Sequence, residues 1–236
     1  MNITVYLGAN EGNDPSIAEA ARELGSWIWE IGNDLVYGGS KVGLMGILAE
    51  SALNAGAQVT GVEPQFFIDQ AVQLDTITRL IVTDTMAERK AKMIELGDAF
   101  IAFPGGSGTL EEVSEVMSML SLSHLDAPCI IYNLDGYYNH LKAQINLMIE
   151  KGFSTPERLK HVHFASNLND VKGILGRKHI SRPTTRGPAP HCASRIGRLR
   201  IRTPRVPLGL AHASPRAYRP PSRLAIRSAR GPLSSA

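Results

Sequence analysis

Residues 104–112 read Pro104-Gly105-Gly106-Ser107-Gly108-Thr109-Leu110-Glu111-Glu112, and they join two segments of opposite character. A short apolar run, 99–103, comes directly before them and is typical of a buried parallel strand. After them, apolar side chains recur at helical spacing, at Leu110, Val113, Met117 and Leu120. The glycines therefore lie where a predicted strand passes into a predicted helix.

This strand–glycine–helix junction has the features of an anion site. Glycines remove the Cβ atoms that keep a ligand from the backbone, and a helix N-terminus offers unpaired N–H groups and a favourable dipole. Ser107 and Thr109 can add hydroxyl donors. Glu111 and Glu112 allow two interpretations: acids in a first helical turn suit the dipole, or one of them works on chemistry beside a bound phosphate. A phosphate group is the expected guest.

Strand and helix signals alternate along the first 175 residues, which predicts an α/β fold. The expected architecture is a Rossmann-like, doubly wound parallel sheet with helices on both faces. Predicted strands are 3–7, 35–37, 59–62, 80–82, 99–103, 128–132 and 162–164. Predicted helices are 15–31, 43–55, 86–96, 109–121, 137–151 and 168–175, and 64–75 is ambiguous. The loops 8–10, 38–40 and 104–109 all follow strands, so we expect them on one edge of the sheet, where such folds bind ligands.

The net charge of +3 hides a division between two parts of the chain. Residues 177–236 hold 13 Arg, one Lys and no acid, whereas residues 1–176 hold 11 basic and 22 acidic residues. We therefore predict a folded domain over 1–176, which is not expected to bind nucleic acid, and a disordered Arg/Pro-rich tail over 177–236. The tail can be a basic arm for RNA or an anionic membrane, or the product of a frameshift or read-through. We favour the last interpretation.

Cysteine usage and hydropathy exclude several classes of protein. Cys129 and Cys192 make neither a disulfide framework nor a metal cluster, so no metal is expected. The N-terminus lacks the basic and apolar regions of a signal peptide, and no apolar run is long enough to span a membrane. A cytoplasmic protein without membrane partners is the expectation.

Four blocks of sequence resemble a known family. Residues 104–112 match the signature PGGxGTxxE, and Met86-Ala87-Glu88-Arg89-Lys90 matches M-x-x-R-K. Residues 37–46 resemble a glycine-rich stretch that ends in G-L-M-G, and residues 133–138 read NLDGYY. Over residues 1–175 the chain resembles the Lonely guy phosphoribohydrolases, the cytokinin-activating nucleotide hydrolases that were once labelled lysine decarboxylases.

The resemblance implies hydrolysis of the N-glycosidic bond of a nucleoside 5′-monophosphate, without a cofactor, to free base and ribose 5-phosphate. It implies Arg89 and Glu112 as the catalytic pair, and a homodimer with the active site near the subunit contact. Substrate-binding positions are implied at Gly38, Gly39, Lys90, Gly105, Gly106, Ser107, Gly108, Thr109, Glu111 and Ser118. One departure is Ala71, where many members have a binding glutamate, and it leaves the preferred base open.

Three rival functions remain at this stage. A non-catalytic nucleotide or molybdenum-cofactor carrier would keep the glycine loop, but it would not need both Arg89 and Glu112. A decarboxylase would use a lysine Schiff base to pyridoxal phosphate, and no cofactor-specific context surrounds Lys41, Lys90 or Lys92. A nucleic-acid binder would rely on the basic tail and would show a strong salt dependence.

Overall fold

A computed structural model describes residues 1–179 and shows one seven-stranded sheet in which every neighbouring pair is parallel. The strand order is β4-β3-β2-β1-β5-β6-β7. The strands are β1 (Asn2–Tyr6), β2 (Asp34–Tyr37), β3 (Val59–Pro64), β4 (Arg79–Thr83), β5 (Ala99–Ala102), β6 (Cys129–Tyr132) and β7 (Val162–Ala165). This confirms the predicted doubly wound parallel sheet.

Helices cover both faces of the sheet, as predicted. They are α1 (Pro15–Glu30), α2 (Gly43–Ala55), α3 (Gln65–Ile68), α4 (Met86–Leu96), α5 (Ser107–Ser121), α6 (Asn139–Glu150) and α7 (Leu168–His179). One apolar core joins the sheet to α1, α2 and α7, and a second core on the other face joins it to α4, α5 and the start of α6. In the ambiguous segment 64–75, Pro64 ends β3, residues Gln65–Ile68 form the one-turn helix α3, and Gln73 makes an isolated antiparallel bridge with Ser40.

The bounds of helices α6 and α7 differ from the sequence expectation. Helix α6 begins at residue 139 rather than 137, because Asp135 and Gly136 take left-handed backbone angles (φ 46° and 77°) in a 3-10 turn over Leu134–Gly136. Helix α7 continues to His179, three residues into the segment predicted as a tail. The rest of that predicted tail, 180–236, lies outside the described residues.

Side-chain caps fix the N-termini of α1 and α4, two helices that begin at the carboxyl edge of the sheet. The Asp14 carboxylate accepts a hydrogen bond from the Ser16 N–H (2.9 Å), and Pro15 occupies the first position of α1. At α4, Thr85 Oγ1 accepts from the Glu88 N–H (3.1 Å) while the Glu88 carboxylate accepts from the Asp84 N–H (3.0 Å). These two hydrogen bonds set the start of α4 and thereby the position of the residues in its first turns.

The sheet changes its winding direction between β1 and β5, which are neighbours although three strands separate them in sequence. The loops after these two strands diverge to opposite sides and leave a crevice at the carboxyl edge, the place where doubly wound sheets bind ligands. The Gly8 N–H spans the crevice and donates to the Pro104 carbonyl (3.1 Å). In the described part of the chain, no helix is both long and apolar enough to cross a bilayer.

Candidate active site

A cavity of about 530 Å³ opens at the carboxyl edge of the sheet. The loops after β1, β2 and β5 line it, together with side chains from α2, α3 and α4 and the first turns of α5. Its volume lies in the range of small-molecule sites. All three loops that the sequence placed on one edge therefore contribute to the same cavity.

The glycine loop forms the wall of the cavity below the N-terminus of α5. A Cβ atom at Gly105 would collide with Thr109 Oγ1 and approach Gly8 N to 2.8 Å, so only glycine fits between the two loops. Cβ atoms at Gly106 and Gly108 would meet nothing within 4 Å, which leaves space above the helix N-terminus. Gly106 is the N-cap and supplies no side-chain acceptor, so the first N–H groups of α5 remain available to an anion.

The NLDGYY block buttresses this loop from behind. The Tyr137 hydroxyl donates to the Gly105 carbonyl, and the Tyr138 hydroxyl donates to the Phe103 carbonyl (2.8 Å). Asn133 holds the turn through its side-chain oxygen, which accepts from the Tyr138 N–H (2.6 Å). Sequence analysis noted the block without assigning it a role, and the contacts show that it fixes the backbone of the glycine loop.

Arg89 and Glu112 form a buried ion pair that lines the cavity. Arg89 Nη1 lies 3.0 Å from Glu112 Oε1, and the two residues are 8% and 7% exposed. Arg89 Nε also donates to the Val62 carbonyl at the end of β3 (3.0 Å). Two helices and a strand thus hold one guanidinium, and charge-assisted hydrogen bonds of this kind give the pair a defined geometry.

The environment of Glu112 raises the pKa of its carboxyl. Burial is the main cause, and the charge of Arg89 opposes it. A carboxyl whose pKa is raised in a cleft, beside a specific charge partner, is typical of a functional site.

Glu63 is a buried acid that sequence analysis did not select. It lies in β3, is 1% exposed, and its Oε2 has no hydrogen-bond partner in the described part of the chain. Burial raises the pKa of its carboxyl to about 7, although the charge of Arg89 opposes the shift. The signal that would have found it is one acidic residue in a strand whose other positions are apolar or small, Val59–Pro64.

The Gly38-Gly39 pair lies between these charged groups. A Cβ at Gly38 would collide with Arg89 Nη2 and come within 2.8 Å of Met45 Sδ. Gly39 has φ +92°, and a Cβ there would lie 3.0 Å from the Cβ of Glu63. Gly38 lines the cavity and Gly39 lies behind it. The resemblance implies that both glycines bind substrate; in the structure, a side chain at Gly38 would meet Arg89 and Met45, and a side chain at Gly39 would meet Glu63.

The remaining predicted site residues divide between the cavity and its surroundings. Ser107, Thr109 and Glu111 line the cavity together with the loop glycines. Lys90 lies outside the lining and forms ion pairs with Glu111 and with Glu115 (2.9 Å). The hydrogen bonds to these acids raise the pKa of the Lys90 ammonium. Ser118 is exposed on α5, away from the cavity, and no group that could hold a metal ion occurs within residues 1–179.

Ala71, at the position where the resemblance implies a glutamate, lies in the loop after α3. It is exposed and it has a left-handed backbone angle (φ 54°). It contributes no polar group to the cavity.

The fold and the cavity define a class, a Rossmann-like α/β domain with a glycine loop at the topological switch point. The model of the family described as "Possible lysine decarboxylase" matches residues 45–174. The cytokinin riboside 5′-monophosphate phosphoribohydrolase LOG1 of Arabidopsis thaliana is 40% identical over 154 residues, which cover 65% of this chain and 72% of the relative. LOG7 of the same plant is 38% identical over 169 residues, covering 72% and 78%. The chain belongs to the Lonely guy phosphoribohydrolase family, and it is a hydrolase acting on N-glycosyl compounds.

Solved structures share the fold at lower sequence identity. The molybdenum cofactor binding protein of the phototrophic bacterium Rippkaea orientalis aligns with a TM-score of 0.59 and 24% identity over 77% of this chain and 97% of that one. The molybdenum cofactor carrier protein of Chlamydomonas reinhardtii aligns with a TM-score of 0.56 and 19% identity, over 77% and 98%. At such identities the likeness shows the fold alone, since one fold serves many functions.

Proposed function

We propose that this protein hydrolyses the N-glycosidic bond of nucleoside 5′-monophosphates (cytokinin riboside 5′-monophosphates, AMP or both) and releases free base and ribose 5-phosphate. The observation that carries the proposal is the buried Arg89–Glu112 pair in a cavity that also contains the open N-terminus of α5. A phosphate at that N-terminus and an acid nearby are the two elements that this reaction requires. Both relatives described above are named cytokinin riboside 5′-monophosphate phosphoribohydrolases.

Glu112 is the residue that acts at the reacting carbon. Breakage of the bond between C1′ and the base nitrogen builds positive charge on the ribose, and a carboxylate beside C1′ stabilises that charge. The same carboxylate can accept a proton from the attacking water, whose oxygen forms the new bond to C1′ as the bond to the base nitrogen breaks. The proton that the water loses ends on the departing base, which returns Glu112 to its ionised form. Arg89 keeps Glu112 oriented and favours its ionised form against the cost of burial.

The glycine loop and α5 supply the binding energy. The N–H groups at the start of α5 and the hydroxyls of Ser107 and Thr109 suit the 5′-phosphate. Binding at this remote group can position the ribose over Glu112. Apolar side chains at another part of the cavity, Leu44, Met45, Phe67 and Met86, suit a base or an apolar substituent on it.

A decarboxylase that uses a Schiff-base lysine is the weaker alternative, although the family description names that activity. Such a lysine needs a lowered pKa to be nucleophilic. Lys90, which lies beside the site, has a raised pKa because Glu111 and Glu115 stabilise its ammonium form. Its environment favours a structural or binding ammonium group.

We also propose that the working protein is a homodimer. Apolar side chains of α4 and α5 are exposed beside the cavity: Met86 is 37% and Leu110 is 45% exposed. A second copy of this chain would cover them, and such apolar surface marks interaction sites. Light scattering after size exclusion measures the mass directly, and a monomer at assay concentration would contradict the proposal.

A product assay tests the proposed reaction. The parent protein, Glu112→Gln and the matched control Glu95→Gln, whose acid is exposed and paired with Lys92, are each incubated with AMP and with isopentenyladenosine 5′-monophosphate. We expect the parent and the control to release base and ribose 5-phosphate and Glu112→Gln to be at least about 100-fold slower. Nucleotide that binds without being cleaved by the parent protein would instead support a non-catalytic carrier.

A further inference from the structure

Glu63 is a buried acid to which the proposed reaction gives no role. It lies next to the last residue of β3, in register with Val82 of β4, and is 1% exposed. Its Oε2 has no hydrogen-bond partner among residues 1–179. A buried carboxyl without a partner is costly, so its presence needs an explanation beyond packing.

The Gly38-Gly39 turn places Glu63 directly behind Arg89. Arg89 Nη2 lies against Gly38 so closely that a Cβ there would collide with it. On the next residue, a Cβ at Gly39 would lie 3.1 Å from Glu63 Oε2. Because neither glycine has a side chain, the Arg89 guanidinium can pack against Gly38 and the Glu63 carboxyl can pack against Gly39.

A second connection runs through β3. Arg89 Nε donates to the carbonyl of Val62, the residue before Glu63 (3.0 Å). Arg89 Nη1 contacts Glu112 Oε1 (3.0 Å) and, within its own helix, Met86 Sδ (4.0 Å). The guanidinium thus pairs directly with Glu112, whereas Glu63, across the Gly38-Gly39 turn, forms no direct ion pair with it and interacts with it through its charge.

The charges that face Glu63 are few. The Arg89 guanidinium of α4 favours the ionised carboxylate, and burial opposes it, so the pKa of Glu63 is raised to about 7. The Tyr37 hydroxyl of β2 also interacts with it; its pKa is raised by burial, then by the charge of Glu63 and of Glu50. Tyr37 stays neutral near pH 7, so Arg89 is the partner whose attraction changes when Glu63 titrates.

We infer that Glu63 is a positioning residue whose ionised carboxylate holds the Arg89 guanidinium, from behind the Gly38-Gly39 turn, in the orientation that presents it to Glu112. This inference rests on the proposed function for its catalytic consequence. Protonation of Glu63 removes the attraction and lets the guanidinium reorient. The activity of the Arg89–Glu112 pair therefore rises as Glu63 ionises.

Two readouts on the full-length protein test the inference, and only one needs turnover. The first is the ¹⁵N–¹H resonance of Arg89 Nε followed from pH 5.5 to 8.5, in the parent protein, Glu63→Gln, Glu63→Asp and the control Glu50→Gln. The second is kcat for AMP over the same range. Glu50 is an exposed acid on α2 that interacts with the same tyrosine, so its variant controls for removal of a nearby charge.

We expect the Arg89 resonance and kcat of the parent to change together with an inflection near pH 7, and both inflections to be lost in Glu63→Gln. At pH 8 kcat of Glu63→Gln should be about tenfold lower, with KM changed far less, because Glu63 does not line the cavity. Glu63→Asp, which keeps the charge, should retain the inflection in the Arg89 resonance. Glu50→Gln should behave as the parent does.

An Arg89 resonance that does not titrate in the parent, or that still titrates in Glu63→Gln, would overturn the inference. So would a pH profile of kcat that is the same in both proteins. If the resonance titrates as expected while no nucleotide is cleaved, the positioning role stands and the proposed reaction fails. The two claims are therefore separable.

Discussion

The glycines of this site are of two kinds: at some positions the protein itself leaves no room for a side chain, and at others a side chain would occupy only open space in the cavity. At Gly38 and Gly105 a side chain would collide with a neighbouring group, Arg89 in one case and Thr109 in the other. At Gly106 and Gly108 nothing lies within 4 Å of a Cβ, so only a ligand would need the space. The local motif in the sequence predicted Gly105, Gly106 and Gly108 as parts of the site. It did not predict the collision at Gly38, because that collision involves a helix that begins about fifty residues later.

At Gly38, alanine should displace the Arg89 guanidinium and disturb its contact with Glu112. We expect Gly38→Ala to lower kcat by about tenfold or more, because small displacements of catalytic groups have large effects. Gly173→Ala is the matched control, since a Cβ there meets nothing and the position is remote from the cavity. Equal kcat values for both variants would show that the contact does not matter.

Helix α5 contributes both an anion-binding N-terminus and a candidate catalytic acid to the site. Its N-terminus offers N–H groups to an anion, and Glu112, on its second turn, reaches Arg89 of α4. This part was predictable from sequence, because strand, glycine loop and helix are adjacent in the chain. The buttress from the NLDGYY block and the acid of β3 were not, because they depend on contacts between distant elements.

At Gly108, an added methyl group should affect helix stability and ligand binding in opposite directions. Gly108→Ala should stabilise the protein by about 0.5–1 kcal/mol, since glycine is a poor helix former. The same Cβ should raise KM for AMP by occupying space next to the phosphate. Thermal unfolding and steady-state kinetics measure the two effects.

Gly173→Ala, in α7, is again the control. It should give a similar stabilisation without a change in KM. A Gly108→Ala protein with unchanged KM would argue against phosphate binding at this helix.

Buried carboxyls link the site to the stability of the whole molecule. Glu63 and Glu112 both have a pKa raised above the ordinary value, mainly by burial. Between the unfolded and folded pKa values the folded state binds more protons, so the free energy of unfolding falls as pH rises through that window. For Glu63 the window runs from its ordinary value of 4.5 to about 7.

Glu63→Gln should therefore be more stable than the parent above pH 7, by about 3 kcal/mol, and similar near pH 4.5. Denaturant unfolding at pH 5 and pH 8 measures the difference. Glu50→Gln should follow the parent at both pH values. If Glu63→Gln is less stable than the parent by the same amount at pH 5 and at pH 8, ionisation of the buried Glu63 carboxyl does not destabilise the parent protein.

The whole-molecule architecture was predicted more fully than the site. Alternating strand and helix signals predicted the parallel sheet and all three loops at its carboxyl edge. The positions of Lys90 and Ser118 outside the cavity lining, and of Glu63 behind it, follow from side-chain packing that no local pattern encodes.

The central claim is that Arg89 and Glu112 act as one unit that cleaves the N-glycosidic bond. The direct measurement is the rate of equimolar release of base and ribose 5-phosphate from AMP by the parent, Arg89→Lys, Glu112→Gln and the double variant. Residues that act together lose activity non-additively. We expect a large loss of the release rate in each single variant, and a double variant that is no slower than the slower single variant. Losses that multiply in the double variant, or undiminished release by either single variant, would contradict the claim.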